Sequence, residues 1–161
     1  MTEAMLEKAR ANAKKLKFAN VEFRLGDIEN MPVQDNTADV VISNCVLNLV
    51  PDKEKAFREI FRVLKPGGHL SVSDVVLRGE LPPQIKNAAE MYAGCVSGAI
   101  NKEDYVKIMI KEGFKNIIIH KEKKISIPDN MLIQYLDEEQ IDLIKNDEFG
   151  IFSITVSAEK S

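Results

Sequence analysis

ADVVISNCVLNLVPDKEKAFREIFRVLKPGGHLSVSDVVL, residues 38 to 77, decides the fold. Its first six residues, ADVVIS, are almost wholly apolar, the pattern of a strand covered on both faces. PDKEKAFREIFRVLKPGG follows, with Ala56, Phe57, Ile60, Phe61, Val63 and Leu64 at helical spacing and Pro66 and Gly67 as the stop. HLSVSDVVL, residues 69 to 77, returns to a strand pattern. A strand, a crossover helix and a second strand in this order form a right-handed βαβ unit, which makes the class α/β with a largely parallel sheet.

Upstream, residues 3 to 16 place Met5, Ala9, Ala13 and Leu16 at helical spacing, with Thr2 as the expected N-cap, and VEFRL at 21 to 25 reads as another buried strand. Downstream, LPPQIKNAAEMYAGCVSGAI reads as a helix opened by Pro82 and Pro83, and NKEDYVKIMIKEGF as a second one. Residues 78 to 100 are therefore expected to be an insertion that covers the active-site cleft. FKNIIIHKEKKISI is a long strand pattern, a polar helix is expected around 129 to 146, and FGIFSITVSAEK reads as a final strand. No repeat or low-complexity segment interrupts the 161 residues, which read as one domain.

Composition narrows the function. Hydrophobic residues make up 45% and charged residues 29%, enough apolar side chain to build a core of its own. The net charge of -3 and the interleaving of Lys and Arg with Asp and Glu leave no basic face for a nucleic acid. No apolar run approaches the ~20 residues that cross a bilayer, and MTEAMLEKARANAKK lacks a signal-peptide core, so the expected location is the cytoplasm. In that compartment the two cysteines, Cys45 and Cys95, do not read as a structural disulfide.

Several motifs carry candidate chemistry. RLGDIENMP, residues 24 to 32, sets an acid just past a predicted strand, the edge at which open α/β sheets bind ligands. There Asp27 is placed to accept a hydrogen bond from an exocyclic amine and Ile28 to lie against a purine, or the pair simply makes a turn. Ser43, Asn44 and Cys45 follow the ADVVIS strand at the same edge. Cys45 reads either as a small buried hydrophobe or as a reactive thiol, and Cys95, flanked by small residues in YAGCVSGA, has the same two readings. Asn48 is a local cap or turn former, and Asp74 is a loop cap or a catalytic acid. His69 and His120 fall in strand patterns without zinc-type spacing around them.

Taken together, DIENMPV, ADVVISNCVLNLVPDKEKAFREIFRVLKPGG and MYAGCVSGAI resemble the arsenite S-adenosylmethionine methyltransferases, from Met1 to about Ile117. LKPGG and DIENMP occur widely in class I methyltransferases, whereas SNCVLNLVPDK combined with AGCVSGA is far more specific. The resemblance implies a Rossmann-like class I methyltransferase sheet, mostly parallel with an antiparallel final strand. It implies that Cys45 and Cys95 bind trivalent arsenic as thiolates, that Asp27 and Ile28 contact the adenine of S-adenosylmethionine, that Asn44 lines its pocket, and that Met1 and Thr2 sit by the ribose. A further thiol, from upstream or from a small thiol such as glutathione, would complete the arsenic coordination.

One departure from the family stands out. Members carry a strand with a GxGxG-type loop and a second strand ending in a ribose-binding acid, and neither occurs in these 161 residues. The resemblance thus implies an N-terminally truncated member with an incomplete sheet lacking its first two strands, and S-adenosylmethionine binding that is weak or absent. It further implies that VEFRL moves to pair with residues 38 to 44, or that two chains form a homodimer through the exposed sheet edge. The alternatives are a methyltransferase of a quinone or other small molecule, a non-catalytic arsenite-binding module, and a structural remnant with packed cysteines.

Overall fold

The computed structural model describes residues 2–79, 96–126, 133, 141 and 150–161. Helix α1 (Glu3–Lys15) begins where Thr2, in extended conformation, accepts the Met5 N–H on its hydroxyl at 3.3 Å. Strand β1 (Ala38–Asn44) leads through a 3-10 turn (Leu47–Leu49) to helix α2 (Lys53–Val63), which Asp52 caps through the Lys55 N–H at 2.9 Å. Strand β2 (Leu64–Arg78) starts at once after α2, and Gly67 takes the left-handed φ of +79° that its turn needs. Helix α3 (Lys102–Lys111), strand β3 (Lys115–Lys124) and strand β4 (Gly150–Glu159) complete the described elements. Most of the 78 to 100 insertion and of the polar helix expected at 129 to 146 lies outside the described residues.

The sheet order is β1-β2-β4-β3. β1 runs parallel to β2, and β4 is antiparallel to both β2 and β3, so three strands point one way and the last one opposes them. This is the mostly parallel sheet with an antiparallel final strand that the resemblance implies.

Period two divides β2 between two cores. Leu70, Val72 and Val76 face α2 and α3, where Phe57, Ile60, Tyr105 and Met109 are fully buried among them. Phe57 meets the rings of Tyr105 and Phe114 edge-on at centroid separations of 5.3 and 6.2 Å. Val75 and Leu77 face the other side and share a smaller buried cluster with Val96, Ala99 and Ile151.

Two expectations fail at the β1 edge. VEFRL is not a strand: the segment has no regular secondary structure, and the bridge that follows it is a single one between Asp27 and Asn30. It does not pair with residues 38 to 44: among the described residues β1 is bonded to β2 alone. Nor is β1 covered on both faces. Val41 packs on the main core, whereas Val40 and Ile42, which point to the other side, are 43% and 79% exposed. An alternating apolar run forms a strand wherever one partner is present; covering both of its faces takes layers that the described residues do not supply. VEFRL and the residues just before it likewise expose apolar side chains, Phe18, Val21 and Leu25 among them.

Candidate functional site

Cys45 marks the point where β1 stops. Its N–H donates to the Ser73 carbonyl at 2.9 Å, extending the β1–β2 ladder by one bond. It then adopts φ +56°, a left-handed conformation that a side chain bearing a Cβ rarely takes. That geometry costs about 1–2 kcal/mol and is held only where the surroundings impose it. Here the 3-10 turn imposes it, since Leu47 and Asn48 directly after the bend are buried at the end of the main core. The thiol-bearing residue is therefore half-buried at the rim of the sheet, at the C-terminal end of a parallel strand.

Cys95 lies outside the described residues, and so does Met1. The residue after Cys95 is nevertheless well anchored: Val96 is buried in the cluster that contains Val75 and Leu77. Cys45 is thus hydrogen-bonded to β2 at Ser73, and the neighbour of Cys95 packs where β2 presents Val75, two residues further on. Two residues of strand measure about 7 Å.

The remaining predicted residues are dispersed. Asn44 is exposed at the end of β1, on the face opposite α2 and α3. Asp27 is exposed and turns its Oδ1 back to accept the Glu29 N–H at 3.0 Å, while Ile28 packs partly against the main core. The Gly-Asp turn reading is thus realised, and one carboxylate oxygen of Asp27 is left outward. Arg62 fixes this segment to α2 through the Met31 and Val33 carbonyls at 3.1 and 2.8 Å and through Asp35, with Glu59 receiving the Met31 N–H at 2.8 Å. Paired with Glu59 first and Asp35 second, the Arg62 guanidinium is held still more firmly protonated than usual. Thr2 is occupied as the α1 cap. His69 is exposed at the near end of β2, His120 on β3 bonds Ser157 Oγ at 2.7 Å, and neither reaches the rim. Among the described residues no group of three or more His, Cys, Asp or Glu converges on a metal position.

What the residue patterns did not disclose is a buried polar cluster beneath the Cys45 bend. Asp74, 1% exposed, accepts the Tyr105 hydroxyl at 3.1 Å on Oδ2, and its Oδ1 has no hydrogen bond. Asn48, 2% exposed, donates from Nδ2 to the Val75 carbonyl at 2.7 Å and leaves its own Oδ1 unsatisfied. Lys53, 8% exposed, reaches the Val50 carbonyl at 3.4 Å. Burial pushes Asp74 up to about 6, against the pull of the Tyr105 hydroxyl, the Lys53 ammonium and the N–H groups of Val75 and Asn48. Burial also lowers Lys53, with Asp74 opposing, and burial followed by Asp74 raises Tyr105 beyond its ordinary range. A groove of about 470 Å³ lined by Asn48, Val50, Lys53, Ser97 and Gly98 opens above this cluster. Lys53 sits at the helix start on a charged segment and Tyr105 on an amphipathic helix, and only their shared neighbour Asp74 gives them meaning.

Comparison with known proteins places the chain in a family. A family model described as a methyltransferase domain matches residues 1–113, and the chain belongs to that family. Within it, the chain is similar to an arsenite methyltransferase of Halobacterium salinarum, 43% identical over 119 residues that cover 74% of the chain and 30% of that protein. It is also similar to the crystal structure of an arsenic(III) S-adenosylmethionine methyltransferase from Chlamydomonas reinhardtii, 32% identical with a TM-score of 0.76, covering 99% of this chain and 53% of that one. A ubiquinone/menaquinone biosynthesis C-methyltransferase of Cronobacter sakazakii is 41% identical over 73 residues, 45% of the chain and 29% of that protein. The chain thus spans about a third to a half of the length of the arsenic methyltransferases it matches.

Proposed function

We propose that this protein serves S-adenosylmethionine-dependent methylation of trivalent arsenic, with Cys45 and Cys95 holding the arsenic as thiolates. The observation that carries the reading is the anchoring of both cysteine segments to one stretch of β2, Cys45 through the Ser73 carbonyl and the Cys95 segment through Val96 beside Val75. Two thiolates brought to one centre suit a soft, thiophilic substrate. The similarity to arsenic methyltransferases across most of the chain supports the same reading.

The chemistry asks little of acid–base groups. Trivalent arsenic keeps a lone pair, so the Cys45 and Cys95 thiolates would need only to hold it with that lone pair turned in line toward the methyl group it would take. Holding the nucleophile in line and excluding water supplies most of the acceleration. S-adenosylmethionine, when bound, supplies the activated methyl group. The chain's outward Asp27 carboxylate and exposed Asn44 amide suit the polar groups of that cofactor, whereas Ile28 offers it only the surface left over from core packing. A small thiol such as glutathione completes the arsenic coordination as a third sulfur.

Arsenite binding by the full chain tests the assignment. Cys45→Ser and Cys95→Ser are each expected to abolish stoichiometric binding, since one thiol is a poor chelate. Undiminished binding by the double variant would exclude the reading. In a quinone methyltransferase, by contrast, Cys45→Ser would leave methyl transfer to the quinone unchanged.

The open edge of β1 supports a second proposal, a homodimer in which this edge is covered. Ile42 and Val40 are exposed on it, beside backbone groups that no strand among the described residues pairs.

A further inference from the structure

Resting on the reading of Cys45 as a thiolate ligand of arsenic, we infer that Asn48, Asp74 and Tyr105 are positioning residues that fix where the Cys45 sulfur stands. None of them offers the substrate a soft donor. Each acts through the next, from α3 across β2 to the turn behind the cysteine.

The ladder between β1 and β2 ends at Cys45, whose N–H takes the Ser73 carbonyl at 2.9 Å. A strand that continued would next bond the Val75 carbonyl with the Leu47 N–H, since partners in a parallel ladder recur at every second residue. Asn48 takes that carbonyl instead: its Nδ2 donates to Val75 at 2.7 Å, a side chain standing in for the backbone N–H. Leu47 is thereby kept out of the ladder, and the chain has to leave the strand's path between its two ties to β2. It leaves through the left-handed φ of +56° at Cys45 and the 3-10 turn that follows. Without the tie at Asn48, burial of Leu47 alone would hold that strained backbone, and Cys45 would relax toward the conformations that a residue with a Cβ prefers.

Asn48 is itself held from several sides. Its side chain is buried, its backbone N–H faces the Asp74 carboxyl, and Gly98 lies so close to its carbonyl that a Cβ there would overlap the oxygen. Asp74 is in turn oriented by the Tyr105 hydroxyl, which donates to it from α3 at 3.1 Å, and the Tyr105 ring is seated edge-on against Phe57. A hydroxyl on α3, committed to Asp74, thus steadies the turn that carries the sulfur.

Peptide mass spectrometry of the full chain separates iodoacetamide alkylation at Cys45 from that at Cys95. Followed against pH, the Cys45 rate gives the acidity of the thiol and the plateau rate of its thiolate. Asn48→Ala is expected to raise that plateau about fivefold or more, because the half-buried sulfur is freed. Tyr105→Phe keeps the ring against Phe57 and removes only the hydroxyl; it is expected to move the plateau the same way by about twofold. Val156→Ala, which thins the main core on β4 opposite Val72, controls for stability alone and should leave the profile as in the parent. A parent-like plateau in Asn48→Ala overturns the proposal, and so does an equal rise in Val156→Ala. If Asn48→Ala fails to fold, Tyr105→Phe decides, and a parent-like plateau there overturns it as well. Arsenite binding by the parent chain tests the thiolate reading separately: shifted plateaus in a chain that binds no arsenite would uphold the tie and defeat that reading.

Discussion

Asp74 is the residue whose environment makes the sharpest demand. It is buried with one oxygen unpartnered, and its carboxyl is pushed up to about 6 from an ordinary value near 4, chiefly by burial. The folded protein consequently holds this proton more tightly than the unfolded chain does. Stability from it is complete below about pH 4 and is lost as pH rises through about 6, a change on the order of 3 kcal/mol. Asp74→Asn keeps the acceptor for Tyr105 and removes the charge. It is expected to flatten that slope and to raise stability at pH 8 in urea unfolding; a slope as steep as the parent's would count against this account. Cys45 makes a related point. A cysteine ending an apolar strand looked as much like a core residue as a reactive one, because its left-handed φ depends on the burial of Leu47 and Asn48 that follow. Gly98 was legible only as a small residue in YAGCVSGA, since the carbonyl it meets lies fifty residues away in sequence.

At the scale of elements, the α2–α3 contact carries the main core. Phe57 is fully buried between the rings of Tyr105 and Phe114, and Phe57→Ala is expected to cost about 3–5 kcal/mol in denaturant unfolding. A loss under about 1 kcal/mol would show that the two helices do not share that core. These elements were readable because period carries them: the stripe of 56 to 64 gives α2, and alternation gives β2 and β4. VEFRL had the same β-favouring composition and yet forms no ladder, since a strand needs a neighbour and, among the described residues, β1 bonds only to β2. Local pattern specifies a face to be buried and leaves open what buries it. The open edge predicts association: sedimentation is expected to show a dimer that Ile42→Lys converts to monomer by placing a charge at the edge. A parent chain that is monomeric at high concentration would remove the dimer.

For the molecule as a whole, membership of the methyltransferase family and possession of its activity are separate questions. The residues here supply the rim of the sheet with Cys45 and Asn44, and an exposed Asp27, but no glycine-rich loop. This 161-residue polypeptide is therefore expected to hold S-adenosylmethionine weakly at best by calorimetry, and micromolar affinity would contradict that. Arsenic capture depends on less, because it asks only that two sulfurs reach one atom. X-ray absorption at the arsenic edge, on a one-to-one complex of the full chain with arsenite and no other thiol present, measures this directly. Two sulfur neighbours per arsenic are predicted, both supplied by the chain's two cysteines. A shell of oxygen with one sulfur or none would contradict the account.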